Sequence, residues 1–386
     1  MPSSKNSTEE KERRGVRTWI TIDSSALLSN IKTFRSIIAP NVMLMSVVKS
    51  NAYGHGLWDI SKHVVEYGTD WIGVDTIAEG LRLRKEGIKT PILVLGYTLP
   101  EMISVAAEHD LSISVSHVST LDAIKKINLP TKIKIHVKVD TGMHRQGFIE
   151  QDRNTIIAEL CKMSEKITVE GLFTHFSDAK NPSFPAYTNE QIAKFEAWRK
   201  LFTDTGFSPI VHASATSGTI LFPEAHYDMV RIGIGLYGLW PSKEIEAYVK
   251  NRITLKPILE WKTIVSETKP LPAGSKISYG GTETLVRDSI VGVCPIGYWH
   301  GFPRALSSIG EVLINGKRAR VLGIVAMDMI VVDLTDCGNV TVGDVVVLIG
   351  SQGKDRIGAE QFAYIADASW YEIITRINPL IKKIFI

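Results

Sequence analysis

The chain has 386 residues, with 44 Lys plus Arg against 41 Asp plus Glu and 44% hydrophobic residues. That length predicts two or three domains with a sizeable core, and a formal charge of +3 gives no argument for nucleic acid or a membrane as partner. No apolar run reaches the roughly 20 residues of a membrane span. Cys161, Cys294 and Cys337 lie too far apart for a disulfide framework or a cysteine-rich zinc site, so a reducing, cytoplasmic setting without a metal is expected.

The first 15 residues, MPSSKNSTEEKERRG, are polar and mixed in charge. They lack the apolar segment of a secretory signal and read as a disordered extension over 1–15. From Val16 to about Trp240, β-branched apolar runs recur at 43–48, 71–74, 91–97, 111–116, 133–139, 169–176, 209–214 and 229–238. Helix-patterned stretches separate them at 58–68, at 76–87 with Gly87 as C-cap, and at 189–202 with Asn189 as N-cap. Alternating βα units imply a parallel sheet covered by helices, and about eight such units match a (β/α)8 barrel over 16–245. No GxGxxG opens a helix after the first strand, which weakens a dinucleotide-binding reading. Beyond Pro241 the texture changes to strand-like runs at 258–269, 289–298, 319–334 and 344–350, with a hairpin at INGKR (314–318). A mostly antiparallel β domain is expected over 246–386, with a short helix around Ala359–Ala366.

Lys49 follows the apolar run Met43, Leu44, Met45, Val47, Val48, which places it at the C-terminal mouth of the first barrel strand, where barrel active sites lie. A lysine losing solvation there has a lowered pKa, and its neutral amine suits Schiff-base chemistry. The plain alternative is a lysine leaving the barrel for solvent. The following loop, with Asn51, Tyr53, Gly54, His55 and Gly56, is a better pocket wall than structural turn.

The segment VVKSNAYGHG (47–56) resembles the cofactor-lysine segment of alanine racemases, enzymes that use pyridoxal phosphate. The resemblance continues in order through HVKVDTGMHRQG (136–147), GLFTHFSDA (171–179), AHYDMVRIGIGLYG (225–238), ISYGGT (277–282), PIGYWHGFPR (295–304), Met327-Asp328 and WYEIITRI (370–377), from about Val16 to Ile386. It implies that Lys49 holds the cofactor and serves as one catalytic base, with Tyr279 as the second on the opposite face of the substrate. A phenol titrates near ~10 unaided, and the resemblance sets His175 and Arg231 nearby to favour phenolate. Arg231 matches the residue facing the pyridine nitrogen. Guanidinium only donates, so that nitrogen must accept and stay unprotonated, which disfavours transamination; a pairing of Arg231 with Asp228 is the structural alternative.

By the same resemblance, Arg145 contacts the cofactor's phenolic oxygen, and Lys138 matches a lysine carbamylated in some members. Tyr53, Tyr371, Thr216, Ser217 and the backbone of Gly233 and Ile234 match phosphate contacts. Arg145, Tyr298, Met327 and Asp328 match substrate contacts, and Arg304 lies near the entrance. A homodimer with shared active sites, and D-alanine for peptidoglycan, are further implications. Departures from the family pattern stand at Ala215, Ala326, Lys180 and Ile324, and leave room for a serine or broad-specificity racemase. A diamino-acid decarboxylase on the same barrel would use different motifs, and Tyr279 with the β domain argues against a bare cofactor carrier.

Overall fold

A computed structural model describes residues 9–386. All eight anticipated runs form a parallel sheet. Its strands are β1 (Met43–Val47), β2 (Trp71–Val74), β3 (Ile92–Val94), β4 (Leu111–Val115), β5 (Ile133–Lys138), β6 (Ile167–Phe173), β7 (Ile210–His212) and β8 (Met229–Ile232). Each pairs with the next from β1 to β7, and β8 pairs with β1 in the register Met43↔Met229. An isolated bridge between Ala215 and Arg231 and the bond from Arg231 N–H to Ser214 O (2.9 Å) draw the β7 end to β8, so the barrel is nearly closed. The strands read as unbroken apolar runs because parallel strands bury both faces: every residue of β2, β3 and β4 is buried.

Helices follow the strands, as the periodicity predicts. Leu57–Glu66 buries Ile60, Ser61 and Val64, one face at three- and four-residue spacing. Ile77–Lys85 is capped by Thr76, whose hydroxyl accepts from Glu79 N–H, and Gly87 beyond its end has φ +91°. Asn189 is not an N-cap: the helix runs Ala186–Asp204 and begins behind Pro185, three residues earlier than the polar cluster suggested.

Ala26–Ala52 and Leu57–Pro257 form one compact unit. Residues up to 257 stay with the barrel because Asn30, fully buried in the helix Ser24–Ile37, grips the backbone of Lys256 twice: its Nδ2 donates to the carbonyl (2.9 Å) and its Oδ1 accepts from the N–H (2.8 Å).

The described residues up to Ser25, with Tyr53–Gly56 and Ile258–Ile386, form the other unit. Its main sheet runs in the order Glu267–Leu271, Ser289–Cys294, Ile330–Asp333, Lys317–Leu322, Glu311–Ile314, Val345–Gln352, Leu259–Ile264, Thr18–Ile22, Lys382–Phe385. All of these pairings are antiparallel except the last. The hairpin at 314–318 turns on Asn315 (φ 52°) and Gly316 (φ 72°), the two positive φ values a tight two-residue turn needs. The helix at 359–366 appears as Ala359–Ile365, and a second, Trp370–Thr375, follows it.

Two features differ from the sequence reading. Thr18–Ile22 is not part of the barrel: it pairs with Leu259–Ile264 and Lys382–Phe385. Its five residues are all buried, so the run looks like a barrel strand until its partners are known. The extension is also not disordered throughout. Residues 9–12 are helical, Glu9 accepts from Trp19 Nε1 (2.9 Å), and both its carboxylate oxygens lie 3.0 Å from Lys262 Nζ. Residues 1–8 of that reading lie outside the described residues.

Candidate active site

Lys49 begins a turn of unusual hand. Ser50, Asn51, Ala52 and Tyr53 all have φ between 51° and 56°. For L-residues the left-handed form costs roughly 1–2 kcal/mol each, so such a run persists only where its surroundings over-determine it. Here they do. Asn51 N–H donates to Glu79 Oε1 (3.1 Å), and the other oxygen of Glu79 accepts from Asp75 N–H (2.8 Å). Asn51 Oδ1 accepts from Leu57 N–H (2.9 Å), and Tyr237 O–H donates to Val47 O (3.0 Å). Lys49 Nζ lies 3.2 Å from Asp75 Oδ1, and both side chains are partly exposed. The lysine is thus held at the strand end, where water can still reach it.

The DTGMHRQG segment closes over the end of β5. Asp140 Oδ1 accepts from the N–H groups of Gly142 (2.8 Å), Met143 (3.0 Å) and His144 (3.1 Å). Gly147 (φ +138°) packs so close that a Cβ there would lie 2.4 Å from Asp140 N. Lys138, Asp140, Arg145, Gln146 and His175 line the resulting cleft. Lys138 donates to Gln146 Oε1 (3.0 Å). Burial, then the positive charges of Arg145, Arg231 and Lys49, push its pKa down to about 8.

Arg231 is buried at the centre. Its terminal nitrogens donate to His212 Nδ1 (2.8 Å), Thr174 O (2.8 Å), Ala213 O (2.7 Å) and His175 Nδ1 (3.2 Å). Among the described residues no carboxylate pairs with it. Asp228 instead accepts from Val211 N–H (2.8 Å), which answers the sequence-level alternative of an Arg231–Asp228 pair. Burial lowers the guanidinium pKa to about 9, which leaves it cationic at neutral pH. Burial, followed by the charge of Arg231, drives His175 well below the usual histidine range. His175 is therefore neutral, and because its Nδ1 accepts, its Nε2 carries the proton.

Thr216 and Ser217 open the short helix Thr216–Leu221, and Thr216 Oγ1 accepts from Gly233 N–H (3.2 Å) and Gly235 N–H (3.4 Å). This brings the hydroxyls beside the turn Ile234–Tyr237. The barrel unit thereby gathers Lys49, Lys138, Arg145, His175, Thr216, Ser217, Arg231, Gly233 and Ile234. Sequence reasoning did not single out Asp75, Glu79, Gln146, His136 and His212 for their roles. His136 was within reach, since it precedes Lys138 by two residues on the same strand and so shares its face.

The remaining candidates lie in the other unit. Tyr279 sits on an exposed turn, 72% accessible, between Ser278 (φ 62°) and Gly280 (φ 71°). Tyr298 and Met327 are also exposed, as is Asp328 in part. Arg304 starts a short 3-10 turn, Arg304–Leu306. Tyr53 and Tyr371 pack with their rings tilted at 50° and 6.2 Å between centroids, and burial, then Tyr53, raises the Tyr371 phenol.

The donor set of the barrel unit fits pyridoxal phosphate. It holds an amine, a buried guanidinium lacking a carboxylate, and hydroxyls beside backbone N–H groups. Among the described residues no cluster of His, Cys, Asp or Glu suits a metal.

Comparison with known proteins agrees over nearly the whole chain. The alanine racemase N-terminal domain model matches residues 22–241, and the C-terminal domain model matches 258–385. An alanine racemase of Methanococcus maripaludis is 40% identical over 95% of this chain and 98% of its own length. One from Symbiobacterium thermophilum is 40% identical over 95% of this chain and 97% of its own. Among solved structures, alanine racemase from Bacillus anthracis with bound L-Ala-P superposes with a TM-score of 0.91. It is 34% identical and covers 96% of this chain and 95% of its own.

Proposed function

The chain belongs to the alanine racemase family and is an amino-acid racemase acting on alanine; on that premise we propose that it works with pyridoxal phosphate and two bases, Lys49 and Tyr279. When bound, the cofactor supplies an aldehyde for amine capture and a conjugated ring that draws electron density from the α-carbon.

The protein's residues do the rest. Lys49 Nζ holds the cofactor and, once released, moves the α-proton on one face. Tyr279 moves it on the other, because one base would have to cross the substrate plane to serve both. Arg231 donates to the ring nitrogen. A donor-only partner would keep that nitrogen unprotonated and so disfavour proton return anywhere but the α-carbon. Neutral His175 carries an Nε2–H that would donate towards the second base. Arg145, with Lys138 beside it, donates to the phenolic oxygen. Thr216, Ser217, Gly233, Ile234, Tyr53 and Tyr371 hold the phosphate, and Arg145, Tyr298, Met327 and Asp328 meet the substrate.

Lys138 has a lowered pKa, so a share of its amine is neutral and able to take up carbon dioxide. Carbamylation there would give Arg145 an anionic partner. The 72% exposure of Tyr279 supports a homodimer in which each Tyr279 serves the partner's barrel. Among the described residues no helix is long and apolar enough to cross a membrane. We place the enzyme in the cytoplasm, where D-alanine would feed peptidoglycan.

The observation that carries this reading is Lys49 at the end of β1, fixed on its left-handed turn within a cluster of cations. The test is racemisation of L- and D-alanine with and without added pyridoxal phosphate, together with borohydride trapping. Cofactor-dependent turnover and label on the Lys49 peptide are expected; label on another lysine, or turnover indifferent to cofactor, would contradict it.

A further inference from the structure

A buried cation without a counter-ion is costly, so its hydrogen bonds must be well satisfied. One donor of Arg231 begins a chain that leads away from the cofactor-binding residues. Guanidinium only donates, so His212 Nδ1, at 2.8 Å, must accept. Neutral His212 then carries its proton on Nε2, which faces His136 Nδ1 at 2.9 Å. His136 must accept in turn, and its own proton lies on Nε2, 3.3 Å from Glu170 Oε2. A carboxylate only accepts, and the same oxygen also takes a short bond from the Ser112 hydroxyl. The chain is held at both ends, by a guanidinium that only donates and a carboxylate that only accepts, and the two neutral rings between them take the tautomers that satisfy both. The relay therefore has one direction, from the Arg231 cation to the Glu170 anion.

The rings are built in place. His136, His212 and Ser112 are buried. Phe173 stacks on His212 at 4.8 Å and 4°, and Trp71 meets His136 edge-on at 5.2 Å. Gly171 leaves the room His136 occupies, since a Cβ there would lie 2.1 Å from its Nδ1. Contacts from β2 to β5 and from β4 to β6 skip the intervening strands, so they run through the barrel interior. Burial, the largest influence on both, holds His136 and His212 below the usual histidine range, as two neutral links require.

We propose that His136 and Glu170 are positioning residues for Arg231: by fixing the tautomer of His212 they aim the guanidinium at the cofactor ring and end its charge on an interior carboxylate. This rests on the reading above that Arg231 faces the ring nitrogen.

The test uses the holoenzyme with 15N-labelled histidine. NMR should show His136 and His212 neutral and protonated on Nε2 across the neutral pH range. Glu170→Leu should mix both tautomers and lower kcat for alanine roughly tenfold, the scale of one buried hydrogen bond, with KM nearly unchanged. Glu170→Gln keeps an acceptor carbonyl and should restore the tautomers and most of kcat. His136→Leu breaks the chain one link earlier; it should mix the His212 tautomers with a similar loss of kcat, and it carries the test if Glu170→Leu does not fold. Wild-type tautomers and kcat in Glu170→Leu or His136→Leu would overturn the proposal. So would equal losses of kcat in Glu170→Leu and Glu170→Gln with tautomers unmoved. A wild type that neither binds cofactor nor racemises alanine would overturn the functional reading, and with it the purpose of the relay. That failure is separable, because the tautomers are read without turnover.

Discussion

The barrel mouth and the Tyr279 turn present the two proposed bases in opposite ways. Lys49 ends a buried strand, and its left-handed turn is tied down by Glu79, Asn51 and Asp75. Tyr279 stands on an exposed turn among positive-φ residues. A base that is part of a packed lattice is preorganised by its own chain, whereas an exposed one gains its surroundings from whatever closes over it. The difference separates stability from catalysis: removing the exposed phenol should leave folding almost untouched, while changes at the mouth should disturb both.

The largest expected effect is at Lys49. Lys49→Ala should lower alanine racemisation by about 10³-fold or more, since on the proposed reading it removes both the cofactor's attachment and one base; steady-state assay with excess pyridoxal phosphate checks this. Tyr279→Phe should cost about 10²-fold or more in solvent-deuterium exchange from one enantiomer and far less from the other. Its unfolding free energy should stay within about 0.5 kcal/mol of wild type, as for other exposed positions. Equal, modest losses from both enantiomers would erase the contrast between the two bases.

Beneath the mouth, Asn30→Ala should act through stability alone. It strands the buried carbonyl of Leu236 and the part-buried N–H and carbonyl of Lys256 without their partner, at about 2–3 kcal/mol by urea unfolding. The smallest effect is at Lys138, whose folded pKa is pushed down to about 8 from the ordinary lysine value of 10.5. Between those values the unfolded chain binds the proton and the folded chain does not, so stability rises with pH across that window, and the burden is fully present below it. In carbon-dioxide-free buffer at pH 7, Lys138→Met should gain up to roughly 2 kcal/mol, the shift less the lost Gln146 bond. The gain should fade towards pH 10.5.

Much of this contrast was legible in the residues. The eight apolar runs gave the barrel because parallel strands buried on both faces need no alternation. Asn315-Gly316 gave its hairpin because only a few residues tolerate two positive φ values in succession. The bound at Val16 put Thr18–Ile22 inside the barrel domain because burial on both faces does not name a partner, and the partners lie more than 200 residues away. Lys49 was legible from its place after an apolar run. Its left-handed turn was not, because neither Ser50 nor Ala52 favours that conformation, and only distant groups such as Glu79 hold it. Tyr279 was visible only through its resemblance to a family motif, since an exposed tyrosine before two glycines is otherwise an ordinary turn.

Whether the two bases act together across a dimer is open to direct measurement. Lys49→Ala and Tyr279→Phe chains, each nearly inactive alone, are co-expressed in equal amounts. Random pairing makes roughly half the dimers mixed, and each mixed dimer has one site with both bases intact. Activity should therefore return to roughly a quarter of wild type. No recovery, with mixed dimers shown to be present, would mean that Lys49 and Tyr279 serve a site within one chain, or none in common.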